Sequence, residues 1–126
     1  MTPPISHIDA ATDFLRLCAH GDVDQAYDCY VAPGFRHHNP YFKGDAASLQ
    51  AGMRDNARQF PGKALEVLRA LQDGPLVAVH SRVRLTSAGP AIALTHWFRF
   101  EDGRIVEMWD IGQAEPEQMV NQNGMF

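Results

Sequence analysis

Cysteine is scarce in this chain, at two residues in 126. Cys18 and Cys29 fall on separate expected helices and no Cys-x-x-Cys occurs. That excludes a disulfide-stapled scaffold and a structural zinc knuckle, and points to two reduced, buried thiols in a cytoplasmic protein. No apolar run approaches the roughly 20 residues that span a bilayer, so no membrane partner is expected. The opening residues Met1 to His7 carry neither a basic nor an apolar segment, so no secretory leader is expected either. Positive charge is also short: 11 Lys and Arg stand against 15 Asp and Glu, net -4, with no basic stripe for nucleic acid. Repeats, low-complexity tracts and linkers are missing, and the length suits one domain over residues 1–126.

What is present is ordinary globular usage, 45% hydrophobic and 21% charged, enough to bury a core. The first half reads as helices. Ser6 can cap one running to about His20, with Ile8, Ala11, Leu15 and Cys18 on one face, and Gly21 ends it. Asp22 with Gln25 is a capping-box pattern for a second helix carrying Val23, Ala26, Tyr27 and Tyr30 and stopping at Pro33-Gly34. Phe35 to His38 is a short extended piece before Pro40. Asp45 caps a third helix with Leu49, Met53 and Phe60 on one side, closed by Pro61-Gly62.

The second half reads as strands. Lys63 to Gln72 has helical propensity but alternates at Leu65, Val67 and Leu71 and ends in Asp73-Gly74-Pro75, so it is taken as a strand. Val77 to Leu85, Ile92 to Phe100 and Arg104 to Gln113 follow. Helices first and an antiparallel meander after is an α+β pattern, with a curved sheet on three helices leaving a conical cavity.

Register decides which side chains share that cavity. A three-residue loop, Glu101-Asp102-Gly103, would set Phe98 against Val106, His96 against Met108 and Leu94 against Asp110. His96 and Asp110 then share a face with Phe98 and Met108, while Trp97, Glu107, Trp109 and Ile111 take the other. A His and an Asp among apolar residues are costly to bury unpartnered, and burial moves their pKa values toward those of acid–base groups working near neutral pH. Each also has a structural reading: Asp110 as a satisfied carboxylate, His96 as a core histidine, His80 in an undetermined register. The His37-His38-Asn39-Pro40 segment is a second polar cluster, either a surface loop or a pocket element in which His38 faces inward.

The three helices, the His-His-Asn-Pro turn and the run from Phe98 to Asp110 resemble the SnoaL-like polyketide cyclases of the nuclear-transport-factor-2-like superfamily. The resemblance covers about Ile8 to Gln113. It implies a cone-shaped fold, a curved antiparallel sheet wrapped by three N-terminal helices, and chemistry without metal or organic cofactor. It also implies acid–base catalysis by Asp110 with His96 assisting, as in ring closure by aldol condensation, isomerisation or dehydration. Many relatives carry His where this chain has Met108.

The substrate would be a small apolar or aromatic carbonyl compound, met by His38, Asn39, His80, Phe98, Met108, Met53, Phe60 and Tyr30. A ligand-binding module without chemistry is the alternative. A metal site from His38, His80, His96 and Asp110 has no supporting spacing, and no metal is expected. Trp97, Trp109 and Ile111 form an outer face too apolar for water, so a homodimer through the sheet is expected, with Trp97 and Trp109 at its interface.

Overall fold

The first and third helices begin on residues whose side chains cap them. In the computed structural model, which describes residues 5–126, α1 spans His7–His20. Residues 1–4, where most of the expected lack of a leader was read, lie outside the described residues. The Ser6 hydroxyl accepts from the Asp9 N–H at 3.1 Å, and Gly21 closes the helix in the left-handed region, at φ 99°, donating to the Cys18 carbonyl. The second helix, α2 (Val23–Tyr30), departs from expectation: Asp22 makes no side-chain cap, so the capping box is not formed. It ends at Tyr30, earlier than Pro33-Gly34, because the chain turns at once into β1 (Val31–His37). Helix α3 (Ala46–Gln59) starts on Asp45, whose carboxylate accepts from the Ser48 N–H at 3.1 Å.

Four further strands follow: β2 (Ala64–Asp73), β3 (Leu76–Arg84), β4 (Ala91–Glu101) and β5 (Arg104–Ala114). The ambiguous Lys63–Gln72 segment is therefore strand. Its Leu65, Val67 and Ala70 pack against the core, and that burial outweighs helical propensity. The five strands form one curved, open sheet in the order β1-β5-β4-β3-β2. The pairing from β2 to β5 is antiparallel, but β1 runs parallel to β5, with His37 opposite Met108. The sheet is thus mixed where a wholly antiparallel one was expected. A third helix and three strands separate β1 from β5, and a crossover of that length can return the chain in parallel. Its edge position lets β1 carry Pro33 without losing a ladder bond.

The β4–β5 hairpin corrects the expected register. Its loop has two residues, Asp102 at φ 50° and Gly103 at φ 78°, as a type I′ turn requires. A bulge then leaves Val106 without a partner between the Arg99–Glu107 and Phe100–Ile105 pairs. His96 consequently faces Asp110 and Phe98 faces Met108. The Phe98–Val106 pair does not form. Every pair beyond the bulge moves by two residues, an even number, so each side chain keeps its face.

The core lies between the inner sheet face and the helices. Phe14 of α1 meets Phe98 edge-on, with ring centroids 5.9 Å apart, and both are fully buried. Cys18 is buried as expected, whereas Cys29 is exposed; both are free thiols.

Candidate functional site

Alternation along β4 and β5 places His96 and Asp110 side by side on the inner sheet face. His96 is buried at 6% exposure and stacks on Phe98, with centroids 6.0 Å apart. Its Nδ1 is buried with no hydrogen-bond partner. Burial pushes the imidazole well below its usual pKa, and the neighbouring Asp110 charge only partly offsets this, so the ring is neutral near pH 7.

Asp110 is half-buried, and its Oδ2 accepts from Asn39 Nδ2 at 2.9 Å. Asn39 is itself held: its Oδ1 accepts from the Tyr41 N–H at 2.9 Å, an Asx turn in the loop between β1 and α3. Asp110 Oδ1 has no hydrogen bond among the described residues.

A cavity of about 190 Å³ opens against this group. Leu15 and Cys18 of α1 form one wall, Leu49, Met53 and Asn56 of α3 a second, and Leu65, Val83, Leu94 and His96 the sheet floor. Asn39, Phe42 and Lys63 complete it. Phe42 packs so tightly on Gly52 of α3 that a Cβ there would overlap its ring. Asp110 is not a wall residue; Asn39, which holds it, is.

Of the other expected ligand contacts, Met53 lines the cavity, its sulfur accepting from the Tyr27 hydroxyl at 3.4 Å. Phe98 and Met108 are core residues beneath it, and Phe60 caps α3 outside it. Tyr30 is occupied elsewhere, donating to Asp13.

The histidines of the turn exchange roles. His37, not His38, is the buried one: its Nδ1 accepts from the Asn39 N–H at 3.1 Å, which leaves Nε2 to donate to the Lys43 carbonyl and close the loop. His38 lies on the outer face, stacked on Trp109 at 5.1 Å and bonded to Glu107 at 2.7 Å. The strand parity assumed for the turn was off by one residue. His80 is also outside, beside Arg69 and the C-terminal Phe126, because the inward positions of β3 are Val77, Val79, Ser81 and Val83.

The four residues weighed for a metal are thus split between two faces. Among the described residues no three His, Cys, Asp or Glu side chains converge.

Sequence reasoning missed two features. Glu107 collects Arg36 (2.9 Å), Arg99 (3.0 Å) and His38 on the outer face. The Arg36 hydrogen bond first, then those of His38 and Arg99, pulls its carboxyl down to about 2. Its own partners shield it, rather than depth in the protein. Lys63 is the other; it shares the parity of Leu65 and Val67, a signal that could have marked it as inward-facing.

On the outer face Trp97 and Trp109 pair across the strands and, with Leu76 and Ile111, line an apolar depression of about 340 Å³. Among the described residues no helix is long and apolar enough to cross a membrane.

Solved structures share this architecture. AclR from Streptomyces galilaeus, described as “a putative hydroxylase”, superposes with a TM-score of 0.72 at 20% identity, over 84% of this chain and 87% of that one. IdmH from Streptomyces antibioticus, “a putative polyketide cyclase”, gives 0.70 at 19%, over 83% and 90%. An NTF2-like protein of unknown function from Cytophaga hutchinsonii gives 0.71 at 14%, over 90% and 95%. At these identities the likeness speaks for the fold alone. No curated protein matches the chain. The sequence match is to a domain family, over residues 11–108, which takes in most of the chain and every residue lining the cavity but stops short of Asp110, and the protein belongs to the SnoaL-like domain family.

Proposed function

We propose that the protein is a small-molecule enzyme that uses Asp110 and His96 for acid–base chemistry on a carbonyl compound, as in aldol cyclisation, isomerisation or dehydration. One observation carries this reading: a buried, unpartnered histidine on the cavity floor stands directly across from a carboxylate whose orientation is fixed by a cavity-wall amide. In the reaction, Asp110 takes a proton from the carbon next to the carbonyl through Oδ1, while Asn39 holds Oδ2. Neutral His96 donates a hydrogen bond to the developing enolate oxygen, and Asp110 returns its proton to carbon in an isomerisation, to the departing hydroxyl oxygen in a dehydration, or, in an aldol closure, to the alkoxide formed when the enolate carbon attacks the second carbonyl. A positioned acid–base group of this kind contributes about 10²–10⁴-fold in rate. Family membership and the cyclase among the structural neighbours support the reaction class. A panel of cyclic and polyketide-like ketones offered to wild type and Asp110→Asn tests it: the variant should lose about a hundredfold or more, and equal turnover by both proteins removes Asp110 as the base.

A second reading has its own support. Asp110 is already bonded and is absent from the cavity wall, as suits a site that holds a ligand unchanged. Native mass spectrometry showing a co-purified, chemically intact small molecule, together with no turnover in the panel, would favour it.

The apolar outer face supports a homodimer through the sheet around Trp97 and Trp109. A reduced, cytoplasmic setting agrees with two free thiols.

A further inference from the structure

Lys63 is the one formally charged side chain on the cavity wall among the described residues; the rest are apolar, amide, thiol or imidazole groups. It sits between the end of α3 and the start of β2, and its ammonium donates to Asn56 of α3. No carboxylate among the described residues pairs with it. The thiol nearest in charge terms, Cys18, is pushed by burial up to about 12 and stays neutral, so it does not compensate the cation. Desolvation also holds the Lys63 amine below its usual pKa, the mark of a charge that lacks a full set of partners.

The surroundings extend the same sign outward. A second depression, of about 160 Å³, shares Ala19, Lys63 and Leu65 with the cavity and adds Arg16 and His20. Among the described residues no Asp or Glu lines either space. In a chain of net charge -4, the approach to this cavity is therefore locally basic. A half-buried lysine without a counter-ion, at the junction of an apolar cavity and a basic mouth, is arranged to receive an anion from the ligand.

We propose that the ligand of this cavity is an organic acid, with an unsaturated or aromatic ring among Leu15, Leu49 and Leu65 and its carboxylate held by Lys63 at the mouth. Size agrees with a small ring system: an apolar cavity of about 150 Å³ takes up benzene, and this one is somewhat larger. The proposal rests on the reading of this cavity as the substrate site and names the class of substrate.

The test is calorimetric titration of the full chain with 2-naphthoate and its neutral isostere 2-naphthamide. Wild type should favour the carboxylate by about tenfold, a difference of about 1.4 kcal/mol. Lys63→Arg should keep the preference. Lys63→Met should lose the preference and bind the carboxylate no more tightly than the amide, with a wild-type circular-dichroism spectrum and a cooperative melt showing that the variant is folded. Equal affinities in wild type, or a preference that survives in Lys63→Met, overturns the proposal. Binding of the amide alone overturns it while leaving the cavity a ligand site. Binding of neither probe at about 1 mM overturns it together with that reading of the cavity.

Discussion

His96 stays neutral inside the fold because its charged form has lost water and gained only one partial compensation, Asp110. Its folded pKa lies below the ordinary value near 6.5, so on acidification the unfolded chain takes up the proton first. Its contribution to stability is complete above that value and is lost as pH falls below it, by up to about 2 kcal/mol at pH 5. Glu107 has the same sign in a lower window: its pKa falls from 4.5 to about 2, so its stabilisation is lost only below about pH 4.5. Urea denaturation at about pH 7 and pH 5 separates the two. Wild type should lose stability over that interval and His96→Phe should lose markedly less. A variant with the full wild-type slope would mean that His96 is not the group responsible.

At the scale of elements, the caps make a paired prediction. The Asp45 carboxylate accepts from the Ser48 N–H, whereas the Asp22 side chain makes no cap at the start of α2. Asp45→Ala should therefore cost about 1 kcal/mol in thermal or urea denaturation, and Asp22→Ala less than about 0.5 kcal/mol. Equal losses would contradict this division of the caps. Both residues are good N-cap types in the sequence, and only the backbone tells them apart: Asp45 at φ -93°, ψ 163° is extended and Asp22 at ψ 51° is not. The hairpin teaches the same lesson. Glu101-Asp102-Gly103 permits a two- or a three-residue loop, and the sheet settles it through a bulge at Val106 that keeps Ile105 buried opposite Phe100. The eight helices and strands of the described residues are legible in the sequence, apart from the start of β1. Pro33-Gly34 reads locally as a break, and in an edge strand it is accommodated with Gly34 at φ 79°.

For the molecule as a whole, the open sheet leaves one face without a layer over it. Trp97 is 42% exposed and Ile111 66%, around an apolar depression. The C-terminal chain returns only as far as β3, where Phe126 packs under the Arg82 guanidinium, 4.3 Å from its ring centre. It covers the β3 side of that face and leaves Trp97 and Ile111 exposed beside Trp109, which is half-buried under His38. Light scattering at micromolar concentration should give a dimer for wild type and a monomer for Trp97→Glu. A wild-type monomer would remove the dimer, and a dimeric variant would move its interface elsewhere.

The sequence by itself determined the order of the elements and the two faces of β4 and β5, because capping and period-2 alternation are local properties of the chain. That is why His96 and Asp110 were placed on one face even though their partners were misassigned: a register error of two residues leaves parity untouched. Only the tertiary structure decided which residues meet. It set His96 opposite Asp110, turned His37 inward and His38 outward, ran β1 parallel to β5, and brought Lys63 to the cavity wall. Those outcomes depend on contacts between residues tens of positions apart, such as Asn39 with Asp110, and they are fixed by how the whole sheet curves around its three helices.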